Sequence, residues 1–381
     1  MSENEKAELL SDIEKLDLSF IDIFNESKDT EKRGNFSPIG AVKIDEVKER
    51  YEEFNKTGID VIKKGKVGAV LLAGGQGTRL GFDHPKGMFN IGINKELYIF
   101  ECLMNNIKSV ADKAGAWVPL YIMTSEINNQ ETIDFFESKN YFGYNKDYVT
   151  FFVQDMAPAV DKNGNVLLEE KGKILFSPNG NGGWFSSIAK AGLLNEIKNK
   201  GIEWINVFAV DNVLQKIADP VFIGAVVCSE CESGGKVVSK SEPNEKVGVL
   251  CLEDGKPSIV EYYEMTDEMR NRREADGSLS YRYGVILNYL FKTDKLEKIM
   301  NNKMPIHIVN KKSVCLDENG NKSETEVFKF ETLVLDMIHM QDSCLSYEVE
   351  RNHEFAPVKN ATGVDSVASA QELLKENGIE I

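Results

Sequence analysis

The chain has 381 residues, 42% of them hydrophobic, and a formal net charge of −16. That length allows one large domain with a smaller lobe, and the composition supplies a normal core. The acidic balance argues against a nucleic-acid partner, which needs a basic footprint. No apolar run is long enough to span a membrane.

The N-terminus, MSENEKAELLSDIEKL, is charged and lacks the apolar region of a signal peptide. Residues 4–27 carry Leu9, Leu10, Ile13, Leu16, Phe20, Ile21 and Phe24 at helical spacing; residues 44–64 repeat this with Val47, Tyr51, Phe54, Ile59 and Ile62. Together they predict a helical N-terminal appendage over residues 1–64, interrupted by a loop at Arg33 to Gly40. From there strand and helix alternate. Strands are expected at 67–72, 118–123, 148–153, 204–209 and 235–239, and helices at 96–114, 129–138, 184–199 and 218–231. The pattern predicts an α/β fold with a doubly wound, mostly parallel sheet, whose ligands sit beyond the carboxyl ends of the strands. Residues 246–262 alternate around Asp254-Gly255, a hairpin signal. The six cysteines are scattered. Only Cys228 and Cys231 form a C-x-x-C, with no second pair, so zinc is not expected. A reduced, cytoplasmic protein is the expectation.

The densest signal is LLAGGQGTRLGFDHPKG, Leu71 to Gly87. Val67 to Leu72 reads as a strand covered on both faces. Gly74, Gly75 and Gly77 then let the backbone turn and approach a ligand closely. Successive backbone N–H groups in such a turn form a concavity for anions. Arg79 and Lys86 add positive charge. The string is neither a Walker A loop nor a dinucleotide fingerprint: no Lys-Ser or Lys-Thr follows Gly77 or Gly81 at the required spacing, and Gly81 comes one residue late for G-x-G-x-x-G. A polyphosphate site fits best; dinucleotide binding and an ordinary βα turn stay open as alternatives.

Two later motifs belong to the same edge. Asp211, in FAVDN, follows an apolar strand and could hold Mg²⁺ on phosphate oxygens, or could merely cap the next helix. FSPNGNGGW, Phe176 to Trp184, packs more glycines and amides than a simple turn needs.

LLAGGQGTRLGFDHPKGMFNIG resembles the signature of the eukaryotic-type UDP-N-acetylglucosamine pyrophosphorylases, and the match runs roughly from residue 67 to 363. The resemblance implies a nucleotidyltransferase domain over 65–363 with a short tail at 364–381. It implies catalytic roles for Arg79, Lys86 and Lys359, and Asp211 as the Mg²⁺ ligand. It implies nucleotide contacts from Leu72, Ala73, Gly74, Gly75, Gly77, Thr78, Gln154 and Gly180, with Gln154 reading uracil through its two-way amide. Sugar contacts are implied for Asn181, Gly248, Glu261, Tyr262, Asn288 and Lys329. Two departures stand out. Asn179 replaces a usual Asp, and Leu333 and Leu335 stand where phenylalanines wall the sugar pocket.

The implied reaction joins UTP and N-acetylglucosamine 1-phosphate into UDP-N-acetylglucosamine and pyrophosphate. The leucines keep glucose 1-phosphate or galactose 1-phosphate open as substrates, and Asn179 keeps a non-catalytic nucleotide-sugar binding protein open. A monomer is expected, without nucleic-acid or membrane partners.

Overall fold

The computed structural model describes residues 1–17, 20, 24, 33–301, 304–317 and 319–381. Its centre is a ten-stranded sheet. In chain order the strands of the molecule are β1 Phe36–Pro38, β2 Val67–Leu72, β3 Leu120–Thr124, β4 Val149–Val153, β5 Met156–Pro158, β6 Leu168–Glu170, β7 Lys173–Ile174, β8 Phe176–Pro178, β9 Trp204–Ala209, β10 Ser233–Ser239, β11 Val249–Glu253, β12 Lys256–Val260, β13 Tyr283–Lys292, β14 His307–Leu316, β15 Lys322–Glu331 and β16 Cys344–Glu348. The central order is β1-β11-β13-β9-β2-β3-β4, with β10 and β16 beyond β13 and β12 on β11.

The half from β9 through β2 and β3 to β4 is wholly parallel. Beyond β9 the sheet turns antiparallel through β13 and the β11–β12 hairpin. The hairpin turns at Asp254 and Gly255, both at positive φ (49° and 84°), as the two-residue turn demands. The parallel strands are apolar on both faces for a visible reason. Along β2, Ala69 and Leu71 enter one core and Val70 and Leu72 the other. Each such side chain contributes about 1.5–3 kcal/mol on burial.

The chain termini depart from the expected organisation. Residues 33–64 are not an appendage. β1 pairs with β11 in the main sheet. The helix Tyr51–Lys63 lies backbone to backbone on the helix Pro220–Cys228: a Cβ at Gly58 would fall 1.9 Å from the Pro220 carbonyl oxygen, and one at Gly224 1.8 Å from that of Phe54. Among the described residues of this region, the helix Glu3–Lys15 is peripheral, with Leu10 and Ile13 exposed. Phe20 and Phe24 pack on Phe330 and Phe328 of β15; Ile21 lies outside the described residues. Nor are residues 364–381 a tail. The helix Val367–Glu376 buries Ala370 and Leu374, and Ile381 ends in the same core.

The expected helix at 184–199 breaks into Trp184–Lys190 and Leu194–Asn199, because Gly192 adopts φ 76° between them. The ribbon β14–β15 had no counterpart in the sequence reading. It covers the small β5–β8 sheet through Val327 and Phe330. All six cysteines are free thiols. Among the described residues no helix is long and apolar enough to cross a membrane, and no cluster of three metal-ligating side chains occurs.

Candidate functional site

Two clefts open at the carboxyl ends of β2 and β9 and run into each other. The first, about 540 Å³, is lined by Leu72, Gly74 to Leu80, Lys86, Met123, Gln154, Asn181, Ala209 to Asp211, Leu287 and Lys359. The second, about 530 Å³, is lined among others by Glu245 to Gly248, Glu261, Val285 to Leu287, Leu333 to Leu335 and Asp365. Asn181, Asp211, Leu287 and Lys359 line both.

The glycine loop builds the first cleft. The Gly77 N–H donates to the His84 carbonyl and the Lys86 N–H to that of Gly75, so the chain folds back and returns Lys86 to the glycines. A Cβ at Gly74 would lie 2.4 Å from the Gln154 Oε1, so a side chain there would displace the Gln154 amide. A Cβ at Gly75 would meet nothing within 4 Å; this is the backbone a ligand can approach. Arg79 and Lys86 have no carboxylate within ion-pair distance among the described residues. Burial pushes the Lys86 ammonium below its usual range; Asp211 opposes this, and the Lys359 and Arg79 charges add to it. Unpaired cations sharing one field over a glycine turn make an anion site.

Asp211 follows β9, and its carboxylate makes no hydrogen bond or ion pair among the described residues. It is not a helix cap; that role belongs to Asp219, whose Oδ1 accepts from the Val221 N–H. A free carboxylate beside a glycine turn with unpaired cations has the donor chemistry Mg²⁺ takes, one or two protein oxygens with water or an anion filling the rest.

Asn212, given no role in the sequence reading, ties the segment at Asp211 to residues 354–358. Its buried amide donates to the Glu354 carbonyl and accepts from the Ala356 N–H, at 2.7 and 2.9 Å. The Val358 N–H then donates to the Asp211 carbonyl at 2.8 Å. This lateral pairing sets the first residue of one segment beside the last of the other.

The second glycine run is a packing device. A Cβ on Gly180, at φ 89°, would lie 2.2 Å from the Thr332 carbonyl oxygen. Gly180 therefore lies under the site and lines neither cleft. Asn181 spans both clefts, with its Oδ1 accepting from the Val334 N–H at 2.9 Å and its amide nitrogen left for a ligand. Asn179 sits behind the run, against Gly183, on a separate cavity. Its replacement of Asp leaves the charges of both clefts untouched.

Several expected residues stand elsewhere. Ala73 is buried, its carbonyl accepting from Asn128 Nδ2. Asn288 is fully buried, its amide bonded to Asn206 and the Lys216 carbonyl. The cause is a bulge in β13, where three residues oppose Lys236 and Leu287 takes φ 52°. Val285 and Leu287 reach the cleft and Asn288 turns inward. Tyr262, next to the inward Glu261, faces the opposite way onto a small neighbouring pocket. Lys329 pairs with Val309 on the ribbon and lines neither cleft. Gln76 was missed: its buried Oε1 has no hydrogen-bond partner among the described residues, and the residue lines the first cleft.

Glu261 shares the second cleft with the apolar Val285, Leu287, Leu333 and Leu335 and with the polar Glu245, Lys246 and Asp365. Burial, reinforced by the nearby Glu264 charge, pushes its carboxyl above the usual range. The folded state then holds its proton more tightly than the unfolded chain, so ionised Glu261 disfavours folding. Glu261→Gln should raise the melting temperature at pH 7. The gain should fade as pH falls into the range where Glu261 takes up its proton; thermal unfolding across pH reads this directly.

Residues 19–379 match the family described as UTP–glucose-1-phosphate uridylyltransferase. The human UDP-N-acetylhexosamine pyrophosphorylase-like protein 1 is 38% identical over 84% of this chain, which spans 65% of that relative's length, less than two thirds. The UDP-N-acetylglucosamine pyrophosphorylase of Saccharomyces cerevisiae is 35% identical, with 89% of this chain and 74% of the relative covered. The uridine diphosphate N-acetylglucosamine pyrophosphorylase of Trypanosoma brucei, solved in complex with inhibitor, superposes with a TM-score of 0.86 at 29% identity, over 98% of this chain and 80% of that one. The chain belongs to the UTP–glucose-1-phosphate uridylyltransferase family.

Proposed function

We propose that this protein transfers uridylyl groups, making UDP-N-acetylglucosamine and pyrophosphate from UTP and N-acetylglucosamine 1-phosphate. The observation that carries the reading is the junction of two clefts, one cationic and glycine-lined, the other with an apolar wall facing several carboxylates and amides, at Asp211 and Lys359. The first fits a nucleoside triphosphate, the second a sugar, and their meeting point fits the phosphorus that changes partners.

Gln154, beside Gly74, would read the uracil edge. The loop amides from Gly74 to Gly77, with Arg79 and Lys86, would hold the triphosphate. Glu261 would accept hydrogen bonds from sugar hydroxyls, and Lys359 would hold the sugar phosphate. A phosphate oxygen of the sugar attacks the α-phosphorus of UTP, a new P–O bond forms, and the bond to pyrophosphate breaks. The reaction needs no protein nucleophile. Placement of the two anions and offset of their charge supply the rate. Asp211 would hold Mg²⁺, which supplies further charge neutralisation on the phosphates.

The apolar wall of Val285, Leu333 and Leu335 supports the acetylated sugar, and also leaves a plain hexose phosphate as a second reading. Pyrophosphate release from UTP and Mg²⁺, with N-acetylglucosamine 1-phosphate and glucose 1-phosphate in parallel, separates them. Faster release with the acetylated sugar is expected. Faster release with glucose 1-phosphate would transfer the protein to the second reading.

A further inference from the structure

We propose that Asp365 is a positioning residue for Lys359, holding its ammonium where the two clefts meet; this rests on the uridylyl-transfer reading above. Lys359 Nζ lies 3.2 Å from Asp365 Oδ2, and both residues line the sugar-side cleft. The lysine stem is long and partly exposed, so without a partner its head would sample many positions. An ammonium has three donors. Donating one to Asp365 leaves two for phosphate oxygens and fixes their direction.

The Asp365 backbone is itself held. The Lys359 and Asn360 N–H groups both donate to the Asp365 carbonyl, at 2.7 and 3.0 Å. The Asn360 side chain closes the ring on the Val364 carbonyl at 2.8 Å. Asp365 takes φ 53°, a region Asp and Asn tolerate better than other side chains. The next residue, Ser366, caps the helix Val367–Glu376, whose buried Ala370 and Leu374 lock it to the core. The lysine is thus aimed from a rigid element rather than from a loose loop. Asp365 also lowers the repulsion among Arg79, Lys86 and Lys359 before any anion arrives.

The test is D365N and D365E against the wild-type chain. Asn keeps the φ and the backbone carbonyl but loses the charge. For D365N, kcat/KM for N-acetylglucosamine 1-phosphate should fall about fivefold, the upper range for a partly exposed ion pair. The KM for UTP and the melting temperature should hold, and D365E should recover part of the loss. Calorimetric titration of the sugar phosphate should show D365N binding more weakly. Unchanged kcat/KM and affinity in D365N would overturn the inference. So would tighter binding, which would make Asp365 a competitor of the phosphate. A wild-type chain that neither binds nor turns over the sugar phosphate would overturn the function reading instead.

Discussion

Lys236→Ala should lower the unfolding free energy by about 3–5 kcal/mol, the range for stranding a buried ion. The Lys236 side chain is wholly inaccessible, and its Nζ sits 2.8 Å from Asp219 and 2.5 Å from Glu354. The Phe222 ring lies 5.5 Å away, and Lys216 pairs with Glu354 from outside at 3.1 Å. Burial pushes the Asp219 carboxyl up, but the Lys236 and Lys216 charges outweigh it and hold it below the usual range. Without Lys236 two buried carboxylates face each other with only a half-exposed lysine between them and water. A loss of this size is a large part of the roughly 5–15 kcal/mol that keeps a domain folded.

The sign with pH follows. A depressed folded-state carboxyl stabilises above its unfolded pKa, and that contribution disappears as pH falls through the folded value. The difference between wild type and Lys236→Ala should therefore shrink in acid, where protonation relieves the stranded pair. Denaturant unfolding at neutral and acid pH measures both. A loss below about 1 kcal/mol, the range of an exposed pair, would contradict the argument. The network matters to the site because Asp219 ends the segment that begins at Asp211, and Glu354 precedes the segment that ends at Lys359.

Arg79→Ala should do the opposite: turnover should fall about 100- to 1,000-fold, as when one donor to developing charge is removed, while stability holds. Arg79 is exposed on the short helical turn Thr78–Leu80 and has no ion-pair partner to strand. It shares the cleft with Lys86, Lys359 and Asp211 and forms no ion pair among the described residues, so its removal should cost little folding free energy. Single-turnover pyrophosphate release together with thermal unfolding separates the two effects. Activity within threefold of wild type would take Arg79 out of the transfer step.

Much of the scaffold was legible because it obeys simple rules. β2 and β9 fall at their expected bounds, since strands covered on both faces read as continuous apolar runs. The β11–β12 hairpin follows from Asp254-Gly255. The glycine loop was legible because its cations have no structural use.

What was not legible depended on neighbours distant in sequence. Nothing in GVILNYLF announces a bulge, and the bulge decides that Val285 and Leu287, not Asn288, face the cleft. Lys236 in GGKVVS looks like a surface lysine until Asp219 and Glu354 close over it. The glycines of NGNGG read as a ligand loop, whereas Gly180 and Gly182 mainly admit the backbone of Thr332 and Leu333. The ribbon β14–β15 escaped because β14 buries only Cys315 and the first half of β15 is exposed and polar, which leaves little alternation to read. Asp365 and Asn212 gave no signal because their partners, Lys359 and the 354–356 backbone, are fixed only by the fold.

Phosphorus NMR of the protein with UTP, Mg²⁺ and N-acetylglucosamine 1-phosphate follows every phosphorus through the junction of the two clefts. UDP-sugar and pyrophosphate signals should grow together in equal amounts as both substrates disappear. UTP that stays intact, or that is cleaved without the sugar phosphate being consumed, would contradict uridylyl transfer.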